Sequence, residues 1–347
     1  MSLDRRRARG LARHLFRGRR IWFQLALTGV FVAILVWRVD LRNVFQTFKD
    51  VNYIWVLPAL LSFTFSKFIH AFRWRLLLPE TEKVPLRDLF GIYLVSNMTN
   101  NAVPFRIGDV VRIQIPAQRF GISRVELAAS VIVAETMLDG FTFLILTLLV
   151  LSFLHIAFLP TSLFWALAVF VSIGFVGALA ISRVRPPQNL EEKAWLRVLS
   201  ANMRRRIGRA APEFFEGLHS MRETRRTLKV IGVSFPAWLA ESLMFWFFGL
   251  AFDLDLAFYK YVVIMIAANV VVALPLTPWN IGPYEVALQS VLIALGVSAS
   301  LSASYALGTH LFSIVWITIT GLIAVWLLRL GLRDLLSLSV SQRPPPS

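Results

Sequence analysis

Residues 259–295 read YKYVVIMIAANVVVALPLTPWNIGPYEVALQSVLIAL. An apolar run from Tyr259 to Leu274 meets Pro275, Pro278 and Pro283, and a second apolar run continues to Leu295. Proline lacks a backbone N–H and clashes with the turn before it, so no single helix passes through this cluster. Each flanking run is shorter than the roughly 20 residues that cross a bilayer. Irregular backbone at membrane depth persists only inside protein or beside water, because lipid offers its N–H and C=O groups no partner. The stretch reads as a re-entrant broken helix that enters and leaves the membrane on one side. A plain loop between two short spans is the other reading.

A second stretch has the same form. The apolar run Leu89 to Val103 meets Pro104-Phe-Arg-Ile-Gly108-Asp109. Set side by side, Asn100…Pro104-x-x-Ile107-Gly108-Asp109 and Asn280-Ile281-Gly282-Pro283-x-Glu285 each place prolines at a break, an Ile-Gly step and an acid after it. Similar breaks entered from opposite sides are what an inverted repeat leaves, and transporters place substrate at such breaks.

Composition agrees with a membrane setting. Of 347 residues, 57% are hydrophobic and 16% charged, and mean hydropathy is +0.65. A soluble domain carries about a quarter charged residues. Soluble and secreted classes are excluded, and a barrel would need short alternating strands that do not occur. With no cysteine, there is no disulfide framework, thiolate metal site or Cys nucleophile. Further apolar windows at 21–37, 54–78, 125–153, 161–182, 229–251 and 303–328 make the fold class all-α: a polytopic transmembrane bundle of about six full spans and two re-entrant hairpins.

Charge sets the orientation. The chain has 36 Lys and Arg against 20 acids, a net +16, and 31 of the 36 fall in residues 1–20, 73–87, 106–124, 183–229 and beyond 328. Basic residues near span ends mark the cytoplasmic side. Six spans place all five clusters, and both termini, inside. The expected organisation is a basic N-terminus at 1–20, a first membrane half at 21–182 with a re-entrant segment near 89–119, and a basic amphipathic loop at 183–228. A second half at 229–330 follows, with a re-entrant segment near 259–297, and then a tail at 331–347. The run 21–37 is too long for a signal-peptide core and no small-residue cleavage site follows it, so it reads as a retained span. The basic clusters read as orientation signals and anionic-headgroup contacts, with no nucleic-acid partner.

Helices that begin near Pro104 and Pro283 direct free N–H groups toward anions, and Asn280 is placed to cap the second. Asp109 and Glu285, in the first turns, can satisfy those dipoles themselves. Arg106 follows the first break directly and Arg112 lies further along; a guanidinium holds phosphate through two parallel bonds. Snorkelling to the cytoplasmic surface is the alternative for both. Glu135 and Asp139 share one helix face in an apolar span, where carboxylates must be paired, protonated or hydrated. Arg106, Arg112, Lys67 and Arg73 are the available partners, in a structural ion pair or a proton or substrate relay. Glu241 has the same two readings, and Lys67 and His70 read as snorkelling. No Walker, dinucleotide, zinc or serine-hydrolase motif occurs, so no metal, cofactor or catalytic residue is expected.

The motifs from Asn97 to Arg112, Arg119-Phe-Gly-Ile-Ser123, Ala134-Glu135…Leu138-Asp139, Leu274 to Glu285 and Leu295-Gly-Val-Ser298 resemble the flippase-like membrane family named after the transmembrane region of lysylphosphatidylglycerol synthases. The resemblance covers about residues 20–330. It implies lipid translocation or handling, in some members joined to a soluble aminoacyl-transfer domain for which this chain has no room after its last span. One departure is Trp279, where the family pattern has Gly. The resulting expectation is a flippase-like transporter of an anionic lipid in the cytoplasmic membrane. Asn100, Arg106, Arg112, Asn280 and Glu285 would stand at the headgroup, with Glu135 and Asp139 balancing charge. The alternative is a non-transporting scaffold of a lipid- or glycan-modifying membrane enzyme, docking through 183–228.

Overall fold

A computed structural model of the chain describes residues 48–78, 84–102, 107–131, 136–151, 161–184, 210–215, 222–273 and 277–330, with single positions at 203 and 208. Among them there is helix and no strand. A 3-10 turn at Tyr53–Trp55 leads into α1 (Val56–Leu77), followed by α2 (Leu86–Ala102), α3 (Ile107–Phe120), the short α4 (Arg124–Ala128), α5 (Thr136–Leu151) and α6 (Thr161–Arg183). The second half contains α7 (Thr224–Ala251), α8 (Phe258–Ala273), a 3-10 turn at Pro278–Asn280, α9 (Pro283–Ala294) and α10 (Ala299–Leu327).

The segments Tyr53–Leu77, Thr224–Ala251 and Ala299–Leu327 are long and apolar enough to cross a membrane, while Met137–Val150, Ser172–Arg183 and Phe258–Ala273 are shorter apolar helices. Within the apolar window 125–153, α4 runs into a π turn at 129–131, positions 132–135 lie outside the described residues, and α5 follows. The windows at 54–78, 161–182, 229–251 and 303–328 appear as α1, α6, α7 and α10. The first window, 21–37, lies outside the described residues, as do most of 183–228 and all of 331–347.

Helix α1 shows which solvent the fold is built for. Leu57, Leu61, Phe65, Phe68 and Phe72, spaced by three or four residues, are all exposed, whereas Ser66, Lys67, His70 and Arg73 on another face are buried. Water would select the reverse. Lipid tails accept the apolar face at no cost and force polar groups inward. Helix α10 repeats the arrangement, with Leu311, Val315 and Ile319 outside and Thr309, His310 and Ser313 inside.

Helix α1 packs along α7, α10 lies against α2 and α9, and α2–α3 and α8–α9 form two adjacent pairs. Hydrophobicity drives little association between helices in lipid, so close packing carries it, and small residues permit close approach. A β-carbon on Gly249 would run into the Tyr261 ring, on Gly308 into Phe252, and on Gly321 into Met98. One core joins α1, α7, α8, α9 and α10 around Phe245, Phe248, Tyr261 and Tyr305. A second joins the end of α1 to α2, α3 and α10 around Trp74, Ile92 and Ile115.

Candidate functional site

Two polar groups, buried or half-buried, lie between the helices. The first starts on α1, where Lys67, His70 and Arg73 recur at three-residue spacing and share one side of the helix. Lys67 Nζ lies 2.6 Å from Glu241 Oε2 on α7. Ser66 Oγ donates to the same oxygen at 3.2 Å, and Asn269 Nδ2 of α8 donates to Oε1 at 2.8 Å. Six residues on, nearly two turns, Arg73 grips Asp139 of α5 with both terminal nitrogens, Nη2 reaching Oδ2 at 3.1 Å. Arg73 Nη1 also donates to Ser234 Oγ at 3.1 Å, and Trp238 Nε1 donates to Asp139 Oδ1 at 3.3 Å.

His70 sits between these pairs, 1% exposed. Its ring is parallel to Tyr93 at 6.0 Å and edge-on to Trp238 at 4.5 Å, and neither ring nitrogen has a hydrogen-bond partner among the described residues. Arg112 is also buried, its guanidinium 4.4 Å from the Trp74 ring and 4.7 Å from that of Tyr93. Such stacking suits a planar, weakly hydrated cation.

The second group is at the two helix breaks. Asn100 Oδ1 accepts from the Gly108 N–H at 2.6 Å, and Asn100 Nδ2 approaches Asp109 Oδ1 at 3.4 Å. The end of α2 is thereby tied to the start of α3. At the other break, Trp279 (φ 58°), Asn280 (φ 51°) and Gly282 (φ 95°) all adopt left-handed backbone. Glu285 turns back from the first turn of α9, Oε2 accepting from the Gly282 N–H at 2.7 Å. Its other oxygen, Oε1, lies 2.5 Å from His310 Nδ1 on α10, and the Tyr284 ring stacks on His310 at 4.1 Å. Helix α2 touches the Pro278–Asn280 turn, so one helix of the first broken pair meets the break of the other.

Of the expected site residues, Asp139 pairs with Arg73, one of its four named partners. Arg112, Asp139 and His70 share the first network, while Asn100, Asn280 and Glu285 are at the breaks. Arg106 and Glu135 lie outside the described residues. Three expectations are corrected. Lys67 and His70 do not snorkel; both are buried, because Glu241 neutralises the one and aromatic rings enclose the other. Arg112 does not snorkel either, since Trp74 and Tyr93 hold its guanidinium inside. Asn280 does not cap α9: Gly282 is the N-cap residue, Glu285 makes the return bond, and Asn280 Oδ1 has no partner among the described residues. Glu285 satisfies the helix start itself, as its position in the first turn implies.

The sequence marks Arg73 as a partner and Glu241 as an ion-pair or relay group without placing either at the site, and it does not mark Asn269 or His310 at all. The signal for the first two was present: ionisable residues at helical spacing inside apolar runs are functional or paired. His310 had no sequence neighbour to mark it, and only the fold brings it to Glu285.

Trp279 carries a backbone conformation that costs a residue with a β-carbon about 1–2 kcal/mol. Trp279→Ala removes the ring and keeps that cost, whereas Trp279→Gly removes both. The Gly variant is expected to be the more stable of the two by about 1 kcal/mol, less glycine's own entropic cost. Thermal unfolding of the two variants in detergent checks the order, and an Ala variant above the Gly variant would refute it.

Residues 21–321 match the family described as the lysylphosphatidylglycerol synthase TM region. A "UPF0104 membrane protein" of Methanothermobacter thermautotrophicus is 23% identical over 313 residues, covering 85% of this chain and 92% of the relative. No solved structure matches. With inward-facing charges, apolar outer faces and a family match over most of its length, the chain is an all-α membrane protein that belongs to the lysylphosphatidylglycerol synthase transmembrane-region family.

Proposed function

We propose that the protein is a flippase-like transporter that moves an anionic lipid, a phospholipid or a polyprenyl-phosphate-linked lipid, across the cytoplasmic membrane. It would cross that membrane several times, with both termini in the cytoplasm. The observation that carries the reading is the meeting of two interrupted helical pairs, α2–α3 and α8–α9, inside a bundle whose outer faces are apolar. Unwound backbone at a broken helix is costly in lipid, and transporters use it to hold polar substrate near the midplane. Arg106 falls in the segment joining α2 to α3 and supplies the cation for a phosphate. Asn100 and Asn280 supply neutral polar contacts, Arg112 and Asp139 belong to the supporting charge network, and acyl or prenyl chains remain in lipid. The reading assigns the chain no covalent chemistry, metal or cofactor.

The test is lipid movement in liposomes reconstituted with the purified protein and a fluorescent phosphatidylglycerol. Arg106→Ala and Glu285→Ala are each expected to slow movement at least tenfold while the protein keeps its elution profile. Unchanged rates in both, or no movement by the parent protein, would defeat the transport reading. A scaffold would instead respond to deletion within 183–228 and ignore both substitutions.

A further inference from the structure

We propose that Glu285 and His310 form a proton-binding site, and that the anionic headgroup and one proton cross the membrane together. This rests on the transport reading and adds its energy source.

The pair is 2.5 Å apart and nearly closed off, with side chains 5% and 8% exposed. Carboxylate and imidazole groups at membrane depth are the usual carriers of protons through transporters. With the carboxylate ionised and the imidazole neutral, the site bears one negative charge. Uptake of one proton on the imidazole gives carboxylate and imidazolium, with net charge zero, and no other bond changes.

The charged and titratable neighbours define how isolated the site is. Tyr284 stacks on His310. Glu241 of α7, held by Lys67 of α1, acts on Tyr284 through its charge, as Glu285 does. Tyr305 of α10 is within electrostatic reach of Tyr284 and of Tyr261 on α8, and donates to the Phe245 carbonyl at 2.6 Å. Helix α2 presents Asn97, Asn100 and Asn101 at its C-terminal end, with no charge. Two directly bonded acid–base pairs therefore stand here, Glu241 with Lys67 and Glu285 with His310, and the second contains the imidazole.

Geometry connects the pair to movement. Glu285 Oε2 holds the Gly282 N–H while Oε1 holds His310, so one carboxylate links the left-handed turn at 279–282 to the long helix α10. Shifting that turn pulls Glu285 from His310 and changes the affinity of the site for its proton. An anionic headgroup at the same break repels the deprotonated site and favours the protonated one. By linkage, headgroup and proton each strengthen the binding of the other, and they cross in the same direction.

The experiment uses proteoliposomes containing fluorescent phosphatidylglycerol, with the membrane potential clamped to zero and a gradient of one pH unit imposed. One proton per lipid gives about a tenfold steady-state enrichment of the lipid in the leaflet facing the alkaline side. His310→Gln, which keeps a donor to Glu285 but cannot titrate, is expected to give equal leaflets whatever the gradient. In the unsubstituted protein, a lumenal pH dye is expected to report proton flux only when the lipid is present. Lipid movement without enrichment, or with enrichment on the acidic side, overturns the proton site and leaves the transport reading standing. Enrichment that survives in His310→Gln overturns the assignment to this pair. No lipid movement under any condition overturns both proposals.

Discussion

Glu241→Ala lowers stability by about 3–5 kcal/mol, the range found when one partner of a buried ion pair is removed. Lys67 is then left 8% exposed with its nearest counter-charge gone. Asn269 and Ser66 lose the oxygens they donate to, and lipid cannot replace those partners. Combining Glu241→Leu with Lys67→Met removes both charges, and most of the loss is expected to return, because apolar groups of similar volume satisfy an interior as well as a pair does. Thermal unfolding in detergent of Glu241→Leu, Lys67→Met and the double variant measures the coupling. If the double variant loses the sum of the singles, the contact contributes nothing as a pair.

The second large effect is at the first break. A β-carbon on Gly108 would overlap the Ser96 carbonyl oxygen and the Asn100 side chain. The carbonyl is backbone, so the helices α2 and α3 must separate to admit a methyl group. Overpacking of this kind costs about 1–3 kcal/mol, and the separation also breaks the Asn100–Gly108 bond that joins the pair. Gly108→Ala is expected to lower the unfolding midpoint and stop lipid movement. Gly177→Ala is the matched control: nothing lies within 4 Å of the added carbon on α6, and alanine is the better helix former by about 1 kcal/mol. A Gly108→Ala protein as stable and active as the Gly177→Ala protein would show that the two helices do not meet as described.

Both experiments probe the same property. The interior is held by contacts that lipid cannot offer, namely close helix approach at glycine and charge pairs screened from the bilayer. Gly91, packed against Leu328, and Gly249, packed against Tyr261, extend that interior to its ends. Arg226 secures one end of the bundle by donating to the Leu76 and Leu78 carbonyls at 2.7 and 2.6 Å, closing the free C-terminus of α1.

Much of this was legible before any coordinates. The apolar windows mark α1, α6, α7 and α10 because a bilayer demands long apolar helices and leaves a strong compositional trace. The boundary between α2 and α3, whose sequence holds Pro104, and the turn at 277–282 follow from proline chemistry, and the start of α9 at Pro283 with Glu285 folding back over it follows from capping rules. Those are local properties, settled by residues within a few positions of one another. What the tertiary structure alone decided is who meets whom. Lys67 finds Glu241 across 174 positions, Arg73 finds Asp139 across 66, and Glu285 finds His310 across 25. A buried charge announces in sequence that it needs a partner, since lipid will not solvate it. Which partner it takes depends on the rotation and depth of each packed helix, and no local rule encodes those.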